Sequence, residues 1–244
     1  MKAIILAAGR GSRMNEGTAD IPKCMMKLSG KTLLDRCMTS LLSAGFDLPD
    51  IGIVTGYKCE KIQIEGVRYF HNPDWENTNM FVSLTMAGEW LQNETCIVSY
   101  SDIIYQPSAV KKLMKCDSEF AITYYTGYWK LWSKRFANPL EDLETFKMNG
   151  GRLIEIGDKP ASKEDVQGQY MGLLRFTPSG WLKIEDAIQK PMPKPLERLD
   201  MTTLLQHLST LGYMVDVIPA DELWLECDNP QDIQLYEKEF MEYL

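Results

Sequence analysis

Histidine is nearly absent: His71 and His207 are the only two in 244 residues. A zinc site built from His and Cys ligands is therefore not expected. The six cysteines (Cys24, Cys37, Cys59, Cys96, Cys116 and Cys227) include no two within three residues of each other, so CxxC pairs are lacking. They read as reduced, mostly buried thiols of a cytosolic protein. No apolar run approaches the ~18 residues of a membrane span. The opening MKAIILAAGRGS has a short apolar run with Arg10 close behind, which fails as the core of a secretory signal, so a cytoplasmic protein is expected. Positive charge is also in deficit, with 26 Lys and Arg against 34 Asp and Glu and a net charge of −8. That excludes non-specific nucleic-acid binding, which needs clustered basic residues. It does not exclude small phosphate ligands, because backbone N–H groups and a few cations can hold an anion locally. Two phosphate-binding patterns are missing as well, the GxxxxGK[ST] loop and the dinucleotide GxGxxG spacing.

What is present suits a globular chain, 45% hydrophobic and 25% charged. An apolar run at 2–7 ends in small residues and reads as a buried strand delivering a loop. Apolar residues at helical spacing over 32–44, stopped by Gly45, predict a helix. Strands are expected at 51–55, 67–70, 95–100 and 119–125, with helices at 79–91 and 108–115 between them. This alternation predicts an α/β fold: a doubly wound, mostly parallel mixed sheet flanked by helices. The second half is less regular. Asn149-Gly150-Gly151 predicts a hairpin over 145–156, and 170–176 a strand. Pro178 opens a helix over 179–189, and Pro191, Pro193 and Pro195 make a stiff connection. A helix at 200–210, strands at 213–218 and 223–226, and a helix at 229–243 complete the pattern. With no repeat or linker, residues 1–244 read as one domain.

Three strand ends carry the chemistry. The first reads Leu6-Ala7-Ala8-Gly9-Arg10-Gly11-Ser12-Arg13-Met14, with Pro22-Lys23 following. Its small residues admit close backbone approach to a nucleotide, and successive N–H groups can line a triphosphate. Arg13 and Lys23 supply neutralising charge. Taken alone, such a loop is also an ordinary strand-to-helix turn. The second is Asp102, just past the strand 95–100, where open parallel sheets place their ligands. A carboxylate there suits Mg2+, which prefers oxygen ligands, or else caps a turn. The third is Trp224-Leu225-Glu226-Cys227-Asp228, where Asp228 could equally cap the helix opening at Pro230.

LAAGRGSRM followed by IPK resembles the signature of the nucleoside-diphosphate-sugar pyrophosphorylase superfamily of nucleotidyltransferases, with a Rossmann-like fold. Residues 72–84, 129–136, 141–146 and 168–173 resemble its phosphocholine and phosphonate cytidylyltransferases more than its sugar enzymes. The resemblance implies that the loop Leu6 to Ser12 wraps a nucleoside triphosphate, that Arg13 and Lys23 contact its phosphates, and that Asn79 and Ser83 approach base and ribose. It implies a Mg2+ site at Asp102 with Glu226 and Asp228. Gly157-Asp158-Lys159-Pro160 is similar to an E-K-P element of the sugar enzymes, which makes Lys159 a candidate for the acceptor phosphate. Trp129, Trp132, Asp142, Glu144 and Tyr170 are acceptor-site candidates, since aromatic faces beside carboxylates suit a cationic group. The expected reaction is attack of a phosphate or phosphonate oxygen on the α-phosphorus of CTP, with pyrophosphate leaving. Expected acceptors are phosphocholine, an aminoalkylphosphonate or a phosphoamino acid, and the expected assembly is a monomer or homodimer.

The chain departs from the wider family. Lys23-Cys24-Met25-Met26-Lys27-Leu28 replaces the usual Pro-Lys-Pro pattern, and the C-terminal arm of many sugar enzymes is missing, so their allosteric and tetrameric behaviour is not carried over. Two alternatives remain: a sugar-1-phosphate uridylyl- or thymidylyltransferase, and a non-catalytic nucleotide-binding regulatory protein. A glycosyltransferase is disfavoured, because Ser99–Asp102 holds one acid where that class carries D-x-D.

Overall fold

The computed structural model describes residues 1–243, apart from the side chains of Asn15 and Glu16. In chain order come β1 (Lys2–Ala7), β2 (Lys27–Leu28), β3 (Lys31–Thr32), α1 (Leu33–Ala44), β4 (Ile51–Thr55), β5 (Arg68–His71), α2 (Met80–Thr85), α3 (Gly88–Asn93), β6 (Cys96–Tyr100) and β7 (Ile103–Ile104). Then follow α4 (Pro107–Met114), β8 (Phe120–Tyr125), α5 (Tyr128–Arg135), β9 (Phe146–Asn149), β10 (Arg152–Ile156), β11 (Gln169–Phe176), α6 (Pro178–Ala187), α7 (Met201–Thr210), β12 (Asp216–Ala220), β13 (Leu225–Glu226) and α8 (Pro230–Glu239).

Nine strands form one sheet in the order β5-β4-β1-β6-β11-β8-β12-β10-β9. The block β5-β4-β1-β6 is parallel. β11 then enters antiparallel between β6 and β8, while β12 runs parallel to β8. Because β1 and β4 are covered on both faces, they read as continuous apolar runs, and every residue of β4 is buried. Separate apolar clusters fill the two faces: α1, α4 and α5 pack on one, and α2, α3, α6 and α7 on the other. This is the doubly wound arrangement that the alternating pattern implies.

Local chemistry sets the ends of the helices. Thr32 accepts from the Asp35 N–H while Asp35 accepts from the Thr32 N–H, a capping box that starts α1. Gly45, at φ +115°, ends it. The Asn149 hairpin forms as expected, with Gly150 and Gly151 both left-handed.

Four expectations need correction. The helix expected over 79–91 is two, α2 and α3, broken at Met86–Ala87 just before Gly88, a poor helix former. The break lets α2 tie back to the 196–199 turn through Asn79 N–H to the Glu197 carbonyl and Phe81 N–H to Leu199, while α3 packs against α6. The strand expected at 213–218 begins at Asp216 and ends at Ala220. The strand expected at 223–226 shrinks to Leu225–Glu226. The last helix stops at Glu239 and gives way to a tight turn. Among the described residues no helix is long and apolar enough to cross a membrane.

Candidate active site

The carboxyl ends of β1 and β6 lie side by side, with Leu6 opposite Tyr100, and a cavity of about 150 Å³ opens beyond them. Its floor is Leu6, Ala8, Gly9 and Gly11 from the first loop and Tyr100, Ser101 and Asp102 from the end of β6. Its far wall is Trp75, Thr78, Asn79, Met80 and Ser83. Asn79 caps α2 by accepting the Met80 N–H at 2.8 Å, and Ser83 Oγ accepts from Asn72 Nδ2 at 3.0 Å. Asn72 is fully buried and also donates to Thr78 Oγ1, so it fixes that wall from behind.

Lys23 joins the two halves. Its Nζ lies 2.5 Å from Asp102 Oδ2 and 2.9 Å from Asp228 Oδ1. Gly11 makes this possible: it holds φ +73°, and a Cβ there would stand 2.6 Å from Lys23 Cβ. Arg13 reaches Asp228 Oδ1 at 2.8 Å from an otherwise exposed side chain. Arg10 leaves the floor and lies 5.7 Å over the Tyr57 ring, and Ser12 opens a short 3₁₀ segment.

A two-residue ribbon brings Asp102 to Asp228. β7 pairs antiparallel with β13, setting Ile103 opposite Glu226, and the Cys227 N–H donates to the Asp102 carbonyl at 2.9 Å. The reading of Asp228 as the α8 cap is corrected here. The cap is Asn229, which exchanges hydrogen bonds with Asp232, and the Asp228 carboxylate is left to Lys23, Arg13 and Arg135.

Beneath these acids sits Arg135, the last residue of α5. Its side chain is wholly buried; Nε and Nη2 each lie 2.9 Å from Asp232, Nη2 is 3.4 Å from Asp228, and Nη1 is 3.7 Å from Glu226. The guanidinium lies over the rings of Trp132 and Phe136 at 4.7 and 5.1 Å. Burial works against both cations, but Asp102 and Asp228 outweigh it at Lys23, and Tyr236, Asp232 and Glu226 at Arg135, so both stand above their usual pKa. Burial also raises Asp228, yet Lys23 and Arg13 more than offset that and leave it below the usual carboxylate value. Burial, with Asp228 and Asp102 nearby, pushes Glu226 well above its usual value.

Asp102, Glu226 and Asp228 are hard oxygen donors of the kind Mg2+ takes, and the β7–β13 ribbon carries all three to one end of the fold. Among the described residues, no group of three or more His, Cys, Asp or Glu stands as a ready cage. The ammonium of Lys23 lies between the two aspartates instead.

The acceptor candidates are less gathered. Trp132 is core: it stacks 5.8 Å from Trp224 at 6° and donates its indole N–H to Asp142. Trp129 is half-buried, with Lys163 Nζ 4.6 Å over its ring. Lys159 is exposed and donates to the Glu141 carbonyl, away from the cavity floor. Tyr170 meets Tyr100 edge-on at 5.9 Å, and its buried hydroxyl has no hydrogen-bond partner among the described residues. A bulge in β11 carries it there, since the pairing with β8 shifts between Tyr170 and Leu174. Burial raises the Glu144 carboxyl above its usual value, and nearby Asp200 and Asp142 add to that. Tyr100, Trp75, Thr78, Asn72 and Arg135 were not picked out as site residues from the sequence. Trp75 and Thr78 stand inside the Asn-rich run that held Asn79, and Arg135 inside the resembling segment 129–136, so membership of those segments was the available signal.

Residues 3–159 match the family model described as the MobA-like NTP transferase domain. The chain belongs to that family and is a nucleotidyltransferase. Among curated proteins it is similar to the CTP:phosphoglutamine cytidylyltransferase of Campylobacter jejuni, 35% identical over 253 residues, covering 96% of this chain and 98% of that one. It also resembles the choline-phosphate cytidylyltransferase of Streptococcus pneumoniae, 36% identical across 40% of this chain and 43% of the other. In fold it matches the inositol-1-phosphate CTP transferase of T. maritima, with a TM-score of 0.74 and 20% identity over 97% of this chain and 95% of that one.

Proposed function

We propose that this protein catalyses Mg2+-dependent transfer of CMP from CTP to a small phosphorylated or phosphonylated acceptor carrying an ammonium group, with release of pyrophosphate. The observation that carries the reading is Lys23, held between carboxylates from two strand ends at the floor of the loop-lined cavity. The end-to-end similarity to a cytidylyltransferase that acts on phosphoglutamine supports the nucleotide and the acceptor class.

The protein's part is positioning and charge. The Ala8–Gly11 backbone approaches the phosphates, while Arg13 and Lys23 supply fixed positive charge as pyrophosphate departs. The wall of Trp75, Asn79 and Ser83 receives base and ribose. Asp102, Glu226 and Asp228 would hold Mg2+, which would supply positive charge to offset the negative charge that builds up on the departing pyrophosphate. On the acceptor side, Asp142, Asp158 and Asp200 surround Glu144 with negative charge, relieved by Lys194. That environment favours an ammonium-bearing acceptor, such as a phosphoamino acid, over a sugar phosphate, which carries no cation. Glu144→Gln is expected to raise the KM for such an acceptor about tenfold, by loss of one charge contact, while the KM for CTP stays constant.

Pyrophosphate release with Mg2+ tests the reading. CTP, UTP, dTTP and ATP are crossed with phosphoglutamine, phosphocholine, 2-aminoethylphosphonate and glucose-1-phosphate. Turnover with CTP and a zwitterionic acceptor is expected. Turnover confined to glucose-1-phosphate would overturn the acceptor class, and silence with tight CTP binding would overturn the catalytic reading.

A further inference from the structure

Lys23 has a feature that phosphate binding does not require. Its ammonium is already committed, at 2.5 Å to Asp102 and 2.9 Å to Asp228, with only 11% of the side chain exposed. Both acids belong to the set proposed to hold the metal. The stem of the lysine is pinned under Gly11, where there is no room for even a methyl group. Arg13 crowds the same Asp228 oxygen, and Arg135 lies 3.4 Å from the other.

We infer that Lys23 is the resident counter-ion of this site and makes it selective for a divalent ion that arrives with a nucleotide over the free ion. The inference rests on the metal assignment proposed above. A free divalent ion has to displace a charged, buried ammonium from two carboxylates, and stripping a partner from a buried ion pair is costly. A triphosphate changes that balance. Lys23 and Asp102 line one cavity with Gly9 and Gly11, so phosphates there give the ammonium a new anionic partner and release the carboxylates. Metal and nucleotide affinities are then coupled, and each raises the other by the same factor. Lys23 thus does two jobs in sequence, holding the acids together before the substrate arrives and the phosphates afterwards.

The test uses Mn2+ alone, with no nucleotide, and counts unbound ion by electron paramagnetic resonance. Wild-type protein is compared with Lys23→Met and with the double variant Lys23→Met, Asp102→Asn. The wild type is expected to bind free Mn2+ weakly. Lys23→Met is expected to bind one Mn2+ at least about tenfold more tightly, a coupling of ordinary size. The double variant should lose that gain. Melting with and without Mn2+ gives a second readout, since the ion should restore stability to Lys23→Met by separating the bared acids. If Lys23→Met folds poorly, Lys23→Gln replaces it with the same expectation. Equal, tight Mn2+ binding by wild type and Lys23→Met would overturn the inference and leave the metal assignment standing. Failure of either Lys23 variant to gain affinity would overturn it too. A gain that survives Asp102→Asn would overturn the metal assignment beneath it.

Discussion

Gly11 and Lys23 are a pair, though they look independent in sequence. The glycine's left-handed backbone and lack of a side chain let the lysine stem cross beneath the loop. Gly11→Ala combines a strained φ, about 1–2 kcal/mol, with a collision against that stem. A lysine displaced by about 1 Å is expected to cost about a hundredfold in kcat/KM, read by steady-state kinetics with CTP varied. Thiol chemistry gives a second prediction at this scale. Cys59 and Cys116 are half-exposed, while the other four cysteines are buried. Burial pushes Cys24 and Cys96 up to about 12 and also raises Cys37 and Cys227 well above the usual thiol value, so at pH 8 they carry almost no thiolate. A disulfide reagent is expected to titrate two thiols fast in the native protein and all six of the chain in denaturant. Fast reaction at four or more would contradict the packing.

Between elements, Arg135 ties α5 to α8. Its wholly buried side chain answers three acids, and Asp232 in turn accepts the Asp228 and Asn229 N–H groups that start α8. Arg135→Met leaves those acids without their buried cation and is expected to cost about 3–5 kcal/mol in urea unfolding. Asn229→Ala removes only a cap and should cost about 1 kcal/mol. If the two cost the same, the arginine is not the anchor. None of this was legible beforehand. Elements with long apolar periodicity were, such as β1, β4, β6 and α1, because burial on one or both faces writes itself into successive residues. The β7–β13 ribbon is two residues a side, too short for any period. The segment around Arg135 drew attention for its tryptophans, which face the core, and a pairing across 97 residues leaves no local trace. The helix over 79–91 failed for the converse reason: its apolar spacing runs on through Met86–Ala87, where the backbone breaks before Gly88.

Across the whole molecule, the site draws on residues from Leu6 to Asp228 and thus on both faces of the sheet. The strand-end loop and Asp102 were readable because an apolar run ending in glycines or an acid marks where a parallel sheet opens. The placement of Tyr170 was not, since it depends on a bulge in an antiparallel strand. A ligand bridging so many elements stabilises them together. Mg2+ and CTP at about 100 times Kd should add about 2.7 kcal/mol, or roughly 5–10 °C in Tm for a chain of this size. Calorimetry with CTP, UTP and buffer checks this, and an equal shift with UTP would remove the base preference.

The backbone bond from Cys227 to Asp102 also orders events during synthesis. The ribosome delivers the nucleotide loop and Asp102 early and Glu226 and Asp228 much later. Until β13 zips onto β7, a growing chain carries the proposed phosphate cradle with Asp102 but lacks Glu226 and Asp228. Chains cut or terminated before that strand are therefore expected to transfer no nucleotide, which a pyrophosphate-release assay on a chain ending at Asp221 checks.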